Sequence, residues 1–390
     1  MNSHIEIKEN IAYISVDGNV TSANANEFEK AMNIDISELD GIVLDAAALE
    51  YISSAGLRVV LATKKRCKCK TFKVINVNND VKNIFDVTGF SEIMDVSQAV
   101  KQISIDGCQK IGAGACGECY RIDDETIIKL YYPRINREEI EREKALAKKA
   151  FVMGVPTAIS YDIVESNGRT GVMYELINSK TLCELIRSNP EKTEEYVDMY
   201  VDICRHIGSI HTSDPEIPSF KDINREDILK VTDLTEDEKN YLYRFIDLVP
   251  DGDACIHGDL NINNIMVQNG ECCLIDMGEF STGISVFDVS RIIFSMHYSN
   301  YGDEGFNSFY KLPNETVGKI FDMFMSKYLD GNSLEDAEKK DPELKWLYPL
   351  AWFRCCTSML RSERWPEDKV KFAYKIFKEK LIPFVDGFNK

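Results

Sequence analysis

Apolar and polar residues alternate through "HIEIKEN" and "IAYISVDG", a period of two that predicts paired strands at the start of the chain. "NANEFEKAM" has helical spacing, and the apolar run "GIVLDAA" reads as a buried strand. A helix from about Ser54 to Lys65 follows, then a strand "TFKVINV" and a helix "NDVKNIFDVTGF" that ends at Gly89. Together these predict a small α/β domain over residues 1–100.

Near residue 105 the pattern changes. The segment "KQISIDGCQKIGAGACGECYRIDDETIIKLYY" predicts three strands joined by a Gly-rich turn and the tight turn "DDET". A charged helix, "NREEIEREKALAKKAFVMGVP", comes next, and beyond Pro156 the pattern is mostly helical. The expected fold class is therefore α/β followed by α+β, in two domains that meet around Val96 to Gly107 without a low-complexity linker.

Composition narrows the chemistry. With 390 residues, 44% of them hydrophobic, the chain can build more than one core. A formal charge of −18 argues against a nucleic-acid surface, which needs clustered Lys and Arg. The dense basic stretch "KKRCKCK", Lys64 to Lys70, reads as a solvated helix end whose charge complements the helix dipole. Twelve scattered cysteines and a polar N-terminus without signal-peptide character point to a reducing cytoplasm, and no apolar run is long enough to cross a bilayer. The pairs Cys116/Cys119 and Cys67/Cys69 have the spacing of half metal sites. Neither has the flanking Cys or His of a closed site, so buried or half-buried thiols are expected.

Gly112, Gly114 and Gly117 form G-x-G-x-x-G, which by itself is weak. A dinucleotide fold needs a helix directly after the glycines, whereas "CYRIDDETIIKLYY" continues as strand, turn, strand. The glycines then form a flap whose amides cover phosphates, and Lys129 on the following strand reaches the same phosphates. Glu143, on the charged helix, is placed to pair with Lys129. In "CIHGDLNINNIMV" and "LIDMGEF", Asp259 can orient or deprotonate an attacking hydroxyl, while Asn264 and Asp276 offer hard oxygen ligands suited to Mg²⁺. His257 reads as structural, His206 and His211 as core or turn residues, and Trp346, Tyr348 and Trp352 as core. Ser53 and Ser54, in "YISSAGLRVV", close a strand and open a helix. One of them is a natural N-cap, and a phosphate there would meet the positive end of the helix dipole.

The segments "GIVLDAAALEYISSAGLRVVLATKKR" and "VNNDVKNIFDVTGFSEIMDV" resemble the STAS domain of anti-sigma-factor antagonists. The resemblance matches Asp45 to the Asp that ends the buried strand, Ser54 to the phosphorylatable Ser, and Gly56 and Leu57 to the helix start. Ser53 replaces the usual acidic neighbour of the phosphosite, and Thr21 stands where many members carry Asp. The resemblance implies a protein partner for this domain.

"HGDLNINN", "IDMG", the glycines, Lys129 and Glu143 resemble the protein-kinase-like superfamily, most closely its aminoglycoside and choline phosphotransferase branch, over residues 108–385. A bilobal fold is implied, with an N-lobe and hinge at 108–177 and a helical C-lobe at 178–385. Asp259 matches the catalytic Asp, Asn264 and Asp276 the metal ligands, and the backbone of Glu175 and Ile177 in "GVMYELINSKTL" the adenine hinge. Asp288 resembles the Asp that braces the catalytic loop, although a helix cap is an equal reading. Gly258 replaces the Arg that reads a phosphorylated loop in protein kinases, and no Ala-Pro-Glu follows Asp276. Asn261 replaces a His common in the aminoglycoside branch, and Cys119 the usual Val over adenine.

What the resemblance implies is a phosphotransferase that uses ATP and Mg²⁺ on the hydroxyl of a small molecule, with the STAS domain for regulation. The alternative is a signalling switch in which the kinase-like domain senses nucleotide or phosphorylates Ser54. Neither a nucleic acid nor a membrane is an expected partner.

Overall fold

The computed structural model describes residues 1–68, 70–299, 301–302 and 305–388. The chain divides into two compact units, Met1–Ser104 and Ile105–Lys390.

In the first unit, strands Asn2–Lys8 and Ile11–Val20 pair antiparallel, as their alternation predicts. Ala12, Ile14 and Val16 face the core, while the first strand is exposed along its length. Ile11–Val20 then pairs in parallel with Gly41–Asp45, which pairs with Thr71–Val77, which pairs with Asp95–Gln98. Leu49–Ile52 adds to the end of Ile11–Val20. Gly41 to Leu44 are buried, as a central parallel strand requires. The helices are Ala25–Met32, Ser54–Cys67, Asn79–Val87 and the short Phe90–Ile93. The helix expected to run to Gly89 stops at Val87, because Gly89 takes φ 74 and turns the chain. Leu49–Ile52 and Asp95–Gln98 are too short and too mixed in polarity to stand out from periodicity.

The basic run does more than end a helix. Arg66 donates to the Met32 carbonyl at 2.5 Å, and Lys70 to those of Ile36 and Leu39 at 2.5 and 2.6 Å. These cations therefore hold the segment after Ala25–Met32, which corrects the reading of a merely solvated end. Cys67 is a buried free thiol, and Cys69, its suggested metal partner, lies outside the described residues.

The second unit opens with an antiparallel sheet in the order Ser160–Ser166, Arg169–Glu175, Thr126–Tyr131, Gly117–Arg121, Gln109–Ala113. The chain beyond Pro156 thus forms two more strands before it becomes helical. Helix Arg137–Val152 belongs to two cores. Its Ile140 joins Tyr131, Val172 and Tyr174 under the sheet, whereas Leu146, Ala147 and Ala150 join the large helical core. That core is built chiefly by Thr193–Gly208, Glu236–Leu248, Asn314–Tyr328, Leu347–Met359 and Glu367–Ile376. Trp346 is fully buried, and Tyr348 and Trp352 pack partly buried against it. His206 and His211 are exposed, the latter bonded to Asp253, so neither is a core residue. No described helix is long and apolar enough to cross a membrane.

Gly56 shows how tightly the first unit is packed. A Cβ there would lie 2.6 Å from Val20 Cγ1 and 2.7 Å from Ile52 Cγ1. Gly56→Ala should therefore destabilise this unit by about 1–3 kcal/mol. All three tryptophans, Trp346, Trp352 and Trp365, lie in the second unit. In urea, far-UV circular dichroism should show an earlier transition in the variant while the tryptophan fluorescence midpoint stays in place. Coincident profiles for variant and wild type would contradict this packing.

Candidate active site

The loop from His257 to Asn264 joins the short buried strand Ala254–Ile256 to Ile265–Gln268. Two constraints set its shape. Gly258 has φ 87, and a Cβ there would meet the Cβ and carbonyl oxygen of Glu279 at 2.5 Å, so the position excludes the Arg of protein kinases on steric grounds. Asp288, in the first turn of Phe287–Ile293, accepts from the amides of His257 and Gly258 at 2.8 and 2.9 Å. Its carboxylate braces the loop rather than capping its own helix. His257 is fully buried, with Nε2 3.1 Å from the Ile275 carbonyl and Nδ1 accepting from the Asp259 amide at 3.3 Å. The histidine links the loop to the strand before Asp276.

Asn264 Nδ2 donates to the Asp259 carboxylate at 3.0 Å and to its carbonyl at 2.9 Å, so Asn264 Oδ1 takes no part in either bond. The Asn264 carbonyl in turn accepts from the Ile275 amide at 3.0 Å. Asp276 follows with φ 68 and ψ 59, a left-handed conformation that costs a non-glycine residue about 1 kcal/mol or more. Its Oδ1 lies 2.9 Å from Lys129 Nζ, and Glu143 Oε1 lies 2.7 Å from the same nitrogen. Three elements distant in sequence therefore meet at one ammonium.

Charge follows this geometry. Burial pushes the Asp259 carboxyl up to about 6; Glu279 adds to the rise, while Arg354 and His257 oppose it. Desolvation works against ionised Asp276, but the charge and hydrogen bond of Lys129 prevail and hold it below the ordinary carboxylate range. Burial also works against the Lys129 cation, and Asp276 and Glu143 together more than offset it.

The glycine segment is a hairpin, with Gln109–Ala113 paired to Gly117–Arg121 and the Gly114 amide donating to the Gly117 carbonyl at 2.9 Å. Only Gly117 is dictated by packing, since a Cβ would lie 2.5 Å from the Leu130 carbonyl oxygen. A Cβ on Gly114 would face open space, and one on Gly112 would make an ordinary contact with Cys119 Cβ at 3.9 Å. Cys119 sits opposite both Gly112 and Lys129, and burial pushes its thiol up. Cys116 and Cys119 are free thiols. At the end of Arg169–Glu175, the Glu175 amide and carboxylate both engage Ile159, and the Ile177 amide has no partner among the described residues. That free donor is what a hinge contact to a ligand edge requires.

Beside this set lies a cluster that sequence reasoning did not single out. Glu279 is bonded by Arg291 at 3.2 Å and Arg354 at 3.3 Å, and Arg354 also reaches Asp227 at 2.9 Å. The available signals were Glu279 three places after Asp276 and a lone Arg354 in the apolar run "LAWFRCC". Among the described residues, no group of three or more His, Cys, Asp or Glu is arranged to hold a metal. The Asp259, Asn264 and Asp276 set contains two such residues and an amide, and its hard oxygens fit Mg²⁺.

Residues 2–103 match the STAS domain, and residues 107–311 match the phosphotransferase enzyme family. A putative anti-sigma factor antagonist, BtrV of Bordetella bronchiseptica, is 33% identical over 87 residues, which cover 22% of this chain and 75% of that protein. The ADP-bound aminoglycoside phosphotransferase APH(2'')-Ib aligns at 15% identity and TM-score 0.45, over 70% of this chain and 93% of its own. Amicoumacin kinase hAmiN, in complex with AMP-PNP, Ca²⁺ and its ligand, aligns at 16% and 0.46, over 79% and 96%. An anti-sigma factor antagonist from Mycobacterium paratuberculosis aligns at 21% and 0.24, over 25% and 84%. The chain belongs to the phosphotransferase enzyme family, with a STAS domain of the anti-sigma-factor-antagonist kind in front of it.

Proposed function

We propose that the second unit transfers the γ-phosphate of ATP to a hydroxyl of a small molecule in a Mg²⁺-dependent reaction. The observation that carries this reading is the convergence of Glu143, Lys129 and Asp276 next to the bonded pair Asp259–Asn264. On this reading, Lys129 holds nucleotide phosphates and Glu143 keeps it extended toward them. The amides around Gly112, Gly114 and Gly117 cover the phosphates, and the backbone of Glu175 and Ile177 receives adenine. Asn264 Oδ1 and Asp276 would hold Mg²⁺, which supplies charge neutralisation at the phosphates when bound. Asp259 orients the attacking hydroxyl and takes its proton, a role suited to a carboxyl raised to about 6. A small acceptor is favoured because Gly258 cannot carry the loop-reading Arg and no Ala-Pro-Glu segment follows Asp276. Free thiols at the described cysteines suit a reducing cytoplasm.

A second reading concerns the first unit and is favoured by one local feature. Ser53 caps helix Ser54–Cys67 by accepting from the Gly56 amide, and it is buried, whereas Ser54 is exposed at the first helical position. Ser54 is therefore the hydroxyl free to take a phosphate, and a protein partner would read that change. The kinase-like unit itself is one source of the phosphate, helped by tethering within one chain.

At about a hundred times its dissociation constant, Mg²⁺·ATP should stabilise the unit that binds it by ~2.7 kcal/mol. Differential scanning fluorimetry should show this shift for wild type with Mg²⁺·ATP, a smaller one for ATP alone, and for Asp276→Ala no further shift when Mg²⁺ is added. A metal-dependent shift retained in the variant would remove Asp276 from the site. Asp259→Asn should retain nucleotide binding and lose roughly 10²- to 10⁴-fold in turnover once an acceptor is in hand; unchanged turnover would reject Asp259 as the base. For the second reading, mass spectrometry after incubation with Mg²⁺·ATP should find one phosphate on Ser54 and none on Ser53. An unmodified Ser54 would leave self-phosphorylation without support.

A further inference from the structure

Strand Thr126–Tyr131 sends alternate side chains to opposite faces. Ile128 and Leu130 are buried on one face, and Ile127, Lys129 and Tyr131 share the other. In register, Ile127 stands opposite Tyr174 and Lys129 opposite Val172, so the neighbouring strand adds an aromatic and an aliphatic residue to the same face. Tyr131, Val172 and Tyr174 form a small apolar cluster there with Ile140 and Ala158. Lys129 is the charged member of a face that is otherwise apolar and aromatic.

The Lys129 ammonium lies 5.1 Å from the centre of the Tyr131 ring. This is inside the ~6 Å range in which the negative face of an aromatic ring attracts a cation, and exclusion of water strengthens the attraction. The Tyr131 ring is 2% exposed. Its buried hydroxyl faces Tyr174 and the Glu143 carboxylate, and its ring face is turned to the cation. Glu143 and Asp276 restrain the ammonium through charge, and on the proposed reading Asp276 would turn to the metal. The ring carries no charge and takes no part in that exchange.

We propose that Tyr131 is a positioning residue for Lys129: its ring face fixes the ammonium beside Glu143, so that the cation already stands in place when nucleotide phosphates arrive. The proposal rests on the reading of Lys129 as the phosphate-binding lysine.

The test uses calorimetric affinities of the full chain for Mg²⁺·ATP and for adenosine, which lacks phosphates. Position 131 carries Phe, then Phe with one, two and three ring fluorines, which drain charge from the ring face with little change of shape. Tyr131→Phe, which keeps the ring and lacks the hydroxyl, sets the reference for the series. Fluorination is expected to weaken Mg²⁺·ATP step by step, reaching about tenfold at three fluorines, while adenosine stays constant. A flat Mg²⁺·ATP series overturns the proposal, as do equal losses for both ligands, which mark a structural role. Wild type that binds adenosine as tightly as Mg²⁺·ATP overturns the phosphate role of Lys129 itself, a failure visible before any substitution is made.

Discussion

A single ammonium is shared by two carboxylates: Lys129 stands 2.7 Å from Glu143 and 2.9 Å from Asp276. Glu143 is 9% exposed, and moving such charges out of water is expensive. The arrangement persists because each partner is anchored by something other than the pair. Lys129 rides on a sheet strand, and Glu143 on a helix whose two ends lie in different cores. Asp276 is tied to the loop that carries Asp259 through Ile275 and His257. The contact contributes little net stability by itself; its effect is to fix the relative positions of sheet, helix and loop.

The loop carrying Asp259 is built on the same plan. A buried carboxylate, Asp288, takes up two amides, a buried imidazole bridges to the next strand, and a glycine leaves room for Glu279. None of these three groups needs to touch a substrate. They hold Asp259 and Asn264 in register with Asp276, and phosphoryl transfer depends on positioning of that kind more than on covalent chemistry.

Much of this was legible in the sequence wherever local pattern decides the outcome. Strand, turn and strand after Gly117 separated a hairpin from the strand-to-helix turn of a dinucleotide fold, and the pairing of Lys129 with Glu143 followed from strand-then-helix order. Asp288 was open between brace and cap, since a carboxylate in a first helical turn suits both until tertiary contacts choose. The Arg354–Glu279–Arg291 cluster was not legible, because it joins a C-terminal helix to a turn that lies some seventy-five positions earlier. Of the two readings open for His206 and His211, core and turn, the core one fails because an apolar helix pattern says which face is buried only on average. The basic run after Ser54–Cys67 was read by the helix dipole alone, whereas its partners are carbonyls more than thirty residues upstream.

Because Lys129 already holds Asp276, arrival of a nucleotide on the proposed reading is an exchange of partners and not an addition. A bare phosphate would have to displace a carboxylate from its cation and leave that carboxylate uncompensated beside a second one, Glu143. A phosphate that arrives with a divalent ion gives Asp276 a new counter-charge as it takes Lys129 away. Selectivity for metal-bound over free polyphosphate would then be a matter of charge conservation inside the cleft, set before any group on the nucleotide base is recognised.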